Sequence, residues 1–146
     1  MYIRLDHVDD RLAYSVIADA EVEVGGVVQI DGLAEAKFGQ GEAFKGVACE
    51  DAAKKRIVLV APDNHRYEEN YGDIEAIEAG QAFRGYVIAN GQEVTVEKAV
   101  IDGDAVVGAE VGASGYKLRV GANEVLGQIV WVGKLYGRDM VKIMFV

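Results

Sequence analysis

The residues able to do chemistry in this chain are few and badly placed for it. Two histidines, His7 and His65, stand far apart, and neither has a second histidine or a cysteine nearby. A transition-metal site needs such ligands clustered at short spacing, so His65-Arg66-Tyr67-Glu68 reads as ordinary polar chain. Cys49 sits in the apolar run Gly46-Val47-Ala48-Cys49. With no basic neighbour to lower its pKa it is expected to be a small buried residue, not a nucleophile. The two serines are Ser15 and Ser114. Ser114-Gly115 belongs to a glycine-rich turn and lacks the strand–turn–helix setting that exposes a nucleophilic serine. The phosphate-cradling patterns Gly-x-Gly-x-x-Gly and Gly-x-x-x-x-Gly-Lys-Ser/Thr do not occur. Carboxylate pairs at Asp9-Asp10, Glu50-Asp51 and Glu68-Glu69 lie in polar segments and read as solvated charge. No catalytic residue, metal site or cofactor site is expected. The expectation is a protein that binds and does not catalyse.

The elements that would position any site are short strands. Apolar runs recur at Tyr2–Leu5, Leu12–Ile17, Val27–Ile30, Phe44–Cys49, Ile57–Ala61, Ala82–Ala89, Tyr116–Val120, Leu126–Val132 and Met140–Val146. Four of them end at glycine or at Asp-Gly or Asn-Gly, where glycine reaches positive φ without steric cost. Asn90-Gly91 between two β-rich runs predicts a hairpin, and Asp102-Gly103 predicts a second. Helical periodicity is nearly absent. Glu50–Lys55 could make one helical turn, and Asp73–Ala79 one or two, with Ile74 and Ile77 on one face. The fold expected is all-β: a barrel or sandwich of roughly ten short strands with at most one or two short helical turns. Residues 1–146 read as one domain, with 1–11 a candidate N-terminal arm. One internal similarity appears: Gly41-Glu42-Ala43-Phe44-Lys45-Gly46 returns 39 positions later as Gly80-Gln81-Ala82-Phe83-Arg84-Gly85. It predicts a repeated turn-then-strand unit with Phe44 and Phe83 buried at equivalent places.

The net charge of −9 makes phosphate-backbone binding a poor prospect, so no nucleic-acid partner is expected. The charge is uneven. Residues 1–110 carry 10 basic and 22 acidic side chains, and residues 111–146 carry 5 and 2. A basic end on an acidic body allows head-to-tail pairing of copies, although exposed charge is more often simply solvated. No apolar stretch is long enough to span a bilayer, and a single cysteine with no signal-peptide pattern fits synthesis in a reducing cytoplasm. Leu126–Val132 and Met140–Val146 are apolar on both faces, which requires either double burial or cover by another subunit.

Two stretches carry a resemblance. Asp73–Ile101 has Glu78-Ala79-Gly80-Gln81-Ala82-Phe83, a hairpin signal and Val94-Thr95-Val96-Glu97-Lys98-Ala99. The ending has Tyr116-Lys117-Leu118, Val125-Leu126-Gly127-Gln128-Ile129-Val130 and a last strand. In style the chain resembles the small β-rich head proteins of tailed bacteriophages, particularly the capsid decoration (cement) type. That resemblance implies a structural virion protein, made in the host cytoplasm and placed on the capsid surface. Its partners would be the major capsid protein and copies of itself, and its role would be to reinforce the shell by many repeated contacts. Candidate contact residues, chosen from expected exposure, are Tyr2, Ile3 and Leu5 in the N-terminal segment and Tyr67 and Tyr71 in the polar Pro62–Gly72 loop. Two other readings stay open: another phage head or tail component, or a small-ligand-binding β-barrel with an apolar interior.

Overall fold

β-Branched runs broken by glycine give strands too short to bury a core alone, so they must close into a barrel or stack as sheets. The protein does both. A computed structural model describes residues 3–7, 13–33, 43–50, 56–62 and 74–146. In chain order its strands are β1 (Ile3–His7), β2 (Ala13–Ala18), β3 (Val22–Glu23), β4 (Val27–Leu33), β5 (Phe44–Val47), β6 (Ile57–Ala61), β7 (Ala76–Ile77), β8 (Ala82–Val87), β9 (Glu93–Glu97), β10 (Ile101–Asp102), β11 (Glu110–Ser114), β12 (Lys117–Val120), β13 (Gly127–Leu135) and β14 (Arg138–Phe145). The all-β expectation holds, with fourteen strands among the described residues instead of about ten and a single 3-10 turn at Lys98–Val100.

Five strands close a barrel in the order β2-β5-β4-β6-β8. Its interior is narrow and filled. Val16, Val28, Val58 and Phe83 are at most 1% exposed, and glycines on β5 and β8 make room for them. A Cβ on Gly46 would lie 3.0 Å from Val16 Cγ1, and one on Gly85 would lie 2.7 Å from Val58 Cγ2 and 3.0 Å from Val16 Cγ2. These are the last glycines of the two sequence repeats. The phenylalanines of the repeats also converge, since Val16 of β2 pairs with Phe44 on one side and Phe83 on the other. The expectation of equivalent places is met in register. Burial differs, because Phe83 is fully buried and Phe44 half-buried.

The other large element is a seven-stranded sheet ordered β1-β9-β14-β13-β11-β12-β10. One face supplies the core: Ile3, Val96 and Val141 share a rung, and the next inward rung holds Leu5, Val94, Ile143 and Ile129. Barrel and sheet share one apolar cluster. β6 is buried on both sides, with Val58 facing the barrel interior and Leu59 outside it. A backbone bridge ties them: Cys49 and Gly115 exchange hydrogen bonds of 2.7 and 2.9 Å, and Val27 N–H donates to Tyr116 O at 3.1 Å. A two-stranded pair, β3-β7, completes the set.

Three local expectations are corrected. Asn90-Gly91 is a turn, with Gly91 at φ +87°, but not a hairpin. β8 belongs to the barrel and β9 to the sheet, and the turn crosses between them while Gly91 N–H donates to Phe145 O at 2.8 Å. Asp102-Gly103 does not reverse the chain into a paired strand either: β10 runs parallel to β12. The part of Asp73–Ala79 that is described is no helix; Ala76–Ile77 is a strand pairing with Val22–Glu23, because extended backbone there can hydrogen-bond to β3 while still burying Ile77. The possible turn at Glu50–Lys55 falls largely outside the described residues.

Candidate functional site

Of the residues chosen as contacts, Tyr2, Tyr67 and Tyr71 lie outside the described residues. Ile3 and Leu5 are described, and both face inward: Ile3 is 3% exposed and Leu5 is half-buried against the core. Ile3 therefore lacks the exposure of a contact residue, and Leu5 keeps only part of it. Strand alternation accounts for this, since β1 pairs with β9 and its apolar positions follow the pleat into the core.

Cys49 is buried, and burial pushes its thiol up to about 12, well out of nucleophilic range at neutral pH. Ser15 lies opposite Arg84 on the β2–β8 pair, and Ser114 sits at the β11–β12 hairpin next to Gly115. Among the described residues, no three His, Cys, Asp or Glu side chains gather as a metal site.

Among the described residues, two surfaces stand out as able to bind. The first is the outer face of the seven-stranded sheet. One of its rungs holds Arg4, Thr95, Lys142 and Trp131. Thr95 Oγ1 donates to Asp6 Oδ2 at 2.7 Å, and Arg4 pairs with Asp6 at 2.9 Å. Lys142 pairs with Glu93 at 3.2 Å. The next rung holds Glu97, Met140 and Gly133. Arg138 Nη1 reaches both oxygens of Glu97, at 3.1 and 3.2 Å, and Glu75 Oε1 at 3.2 Å. The Glu75 hydrogen bond holds that carboxyl below its usual range.

Polarity gives way to apolar surface towards β13. A bulge between Ile129 and Trp131 breaks the alternation and leaves neighbouring Val130 and Trp131 both 38% exposed. The Trp131 indole lies across Gly133, leaving no room there for a Cβ. Beside them the Val106-Val107 turn is held against Ile129 by Gly108 N–H donating to Ile129 O at 2.8 Å. Tyr136 stands exposed at the hairpin tip, at φ +56°. Of seven exposed large apolar residues among those described, Val106, Val107, Val130 and Trp131 lie at this part of β13 and Tyr136 at its far end. Both strands read in sequence as apolar on both faces. On β14 the inward Val141, Ile143 and Phe145 are buried and Met140 is buried on the outer face as well, whereas the outward residues of β13 stay at least partly exposed.

The second surface is a groove of about 600 Å³ against the barrel, walled by Ile30, Phe44, Val87, Ile88, Leu126 and Val146. Tyr14 meets Phe44 edge-to-face there, at 5.0 Å between centroids. Arg56 supplies a cation to the groove wall. The groove offers apolar contact and one charge, with no nucleophile–base pair.

The charge asymmetry is largely resolved within the chain. Lys117, Arg138 and Lys142 from the basic end pair with Glu23, Glu75, Glu97 and Glu93 of the acidic body. Those contacts engage three of the five basic side chains of that end, while Arg119 and Lys134 stand exposed.

Comparison with known proteins gives one informative likeness. No protein-family model matches the chain, and no curated protein matches it closely enough to count. Among solved structures it is similar to the head fiber gp8.5 N base in bacteriophage phi29, with a TM-score of 0.52 over 92% of each chain and 11% sequence identity. The likeness is one of fold. It spans barrel and sheet together, since nearly the whole of both chains superposes.

Proposed function

We propose that this chain is a structural component of a tailed-phage head, and that it acts as a decoration protein bound to the major capsid lattice and stabilising the shell. The observation that carries this reading is the shared fold over 92% of both chains with a phage head fiber base. The exposed Val106, Val107, Val130, Trp131 and Tyr136 patch supports it, because aromatic and aliphatic surface of this kind marks contact with other proteins. On this reading the work is binding and not chemistry. A second reading, a small-ligand carrier, has the apolar groove in its favour, since Val58 of the barrel lines it together with Ile30 and Phe44.

The test is a copy count by quantitative mass spectrometry on purified particles, set against the major capsid protein. Hundreds of copies per particle are expected of a decoration protein. About a dozen would move the chain to a connector, fiber or tail position. Absence from particles would overturn the virion reading and favour the ligand carrier.

A further inference from the structure

β13 is the longest strand among the described residues, and about two-thirds of it has a described neighbour on one side only. It pairs with β14 along its whole length but with β11 only at Gly127 and Gln128. Ile129 still receives the Gly108 N–H and donates to Ala109 O at 2.9 Å. From Val130 to Leu135, no described residue hydrogen-bonds to the backbone on that side. This open edge is roughly 20 Å long at the strand rise of about 3.4 Å per residue. Unpaired backbone of that length templates pairing with another strand.

The edge is bordered by groups that complement each other end to end. At its Val130 end stand the exposed valines 106 and 107, beside Gly108, together with the exposed carboxylate of Glu110, which lies opposite Gln128. At its other end stand exposed Tyr136 and exposed Lys134, and Lys134 makes no ion pair among the described residues. A twofold axis through the edge brings each end against the opposite end of a second copy. Acidic and apolar groups then meet basic and aromatic ones, the self-complementarity that an isologous interface requires.

We propose that two copies of this chain associate by antiparallel pairing of their β13 edges, extending the seven-stranded sheet across the dimer. Pairing centred on Gly133 places Trp131 opposite Leu135 of the second copy on the outer face, an aromatic–aliphatic cross-strand pair. Lysine on an edge strand normally discourages such pairing. In this register Lys134 lies opposite Val132 of the second copy and not opposite another Lys134. The inference stands apart from the virion reading, and either can fail alone.

Trp131 is the sole tryptophan and is 38% exposed, so association should dry it. Sedimentation velocity of the full chain, from low micromolar to near-millimolar concentration, is expected to show a monomer–dimer equilibrium. The indole emission should shift to the blue along the same curve. The double variant Val107→Lys/Tyr136→Asn removes apolar groups from both ends while leaving the reporter in place. Asn-Gly also suits the tip turn better than Tyr-Gly, so unfolding would not explain a loss. It should weaken the dimer at least tenfold, while Val146→Glu in the distant groove should leave it unchanged. A chain monomeric throughout, a trimer or larger ring, or a dimer indifferent to the double variant would overturn the proposal. So would equal weakening by Val146→Glu.

Discussion

Replacing Gly85 by alanine should destabilise the protein through one methyl group in the barrel interior. The new Cβ would stand 2.7 Å from Val58 Cγ2 and 3.0 Å from Val16 Cγ2. Carbon atoms in contact prefer about 3.5–4.0 Å, so the overlap approaches an ångström and involves short branched side chains with little freedom to move. Overpacking of this kind costs roughly 1–3 kcal/mol. An opposing term exists, because alanine has less conformational entropy to lose than glycine, a gain of about 0.4–1 kcal/mol where the backbone accepts it. The backbone accepts it here, since Gly85 is not among the glycines at positive φ. The clash prevails, leaving a loss of about 0.5–2.5 kcal/mol, or a fall in Tm of roughly 2–10 °C at this chain length. Urea unfolding should show the loss as a lower midpoint at constant slope. Val58→Ala alone should cost about 2 kcal/mol by removing buried methyl groups. In the double variant the methyl added at position 85 occupies the space that Val58 vacates, so the combined loss should fall short of the sum by at least about 1 kcal/mol. Wild-type stability in Gly85→Ala, or strict additivity in the double variant, would refute the packed interior.

Three further outcomes are expected. Cys49, with its thiol pushed up to about 12, should resist a thiol-exchange reagent at pH 8 in the native protein and react fully in denaturant; prompt native reaction would show that it is accessible. Arg138→Met should lower the unfolding midpoint at neutral pH. Part of that gap should close below pH 4.5, because a folded-state pKa below the ordinary 4.5 of Glu75 gives stability that is present above the unfolded value and lost as pH falls through the folded one. A gap of constant size down to pH 2 would contradict this. Tyr136→Asn should raise stability by about 0.5 kcal/mol, because Tyr136 holds φ +56° in a two-residue turn that favours Asn-Gly; an unchanged or lower midpoint would mean the tyrosine ring compensates for its backbone strain.

Much of the fold is legible in the sequence because strand length and turns are local properties. The runs at Val27–Ile30, Ile57–Ala61 and Tyr116–Val120 are β4, β6 and β12 with small boundary changes. Partner choice is not legible, because it is decided elsewhere in the chain. Asn90-Gly91 turns as predicted, yet the backbone beyond it pairs with Phe145, more than fifty residues away. The inward setting of Ile3 and Leu5, two of the candidate contact residues, is missed for a related reason. Ile3 and Leu5 show the alternation of an inward-facing strand, and that period is a better guide to exposure than nearness to a terminus. Trp131 is conspicuous in the sequence, but its exposure depends on the bulge at Val130, a departure from alternation that carries no residue signature.

The repeated hexapeptide separates common descent from common demand. A duplicated turn-then-strand unit should meet its neighbours in the same sense both times. Here the copies flank the same strand in opposite senses, β5 parallel to β2 and β8 antiparallel to it. What they share is the interior they face. Each sets a phenylalanine on the Val16 rung and, two residues on, a glycine against a Val16 methyl, 3.0 Å from where its Cβ would stand. A five-stranded barrel has room for few large side chains, so a ring at one level requires its absence at the next. Phe-x-Gly satisfies that on whichever strand borders Val16, in either direction. The similarity then follows from the bore of the barrel. It makes the two glycines equivalent in consequence, so Gly46→Ala should be destabilising as Gly85→Ala is. The effect should be smaller, because the shortest distance at Gly46 is 3.0 Å and not 2.7 Å.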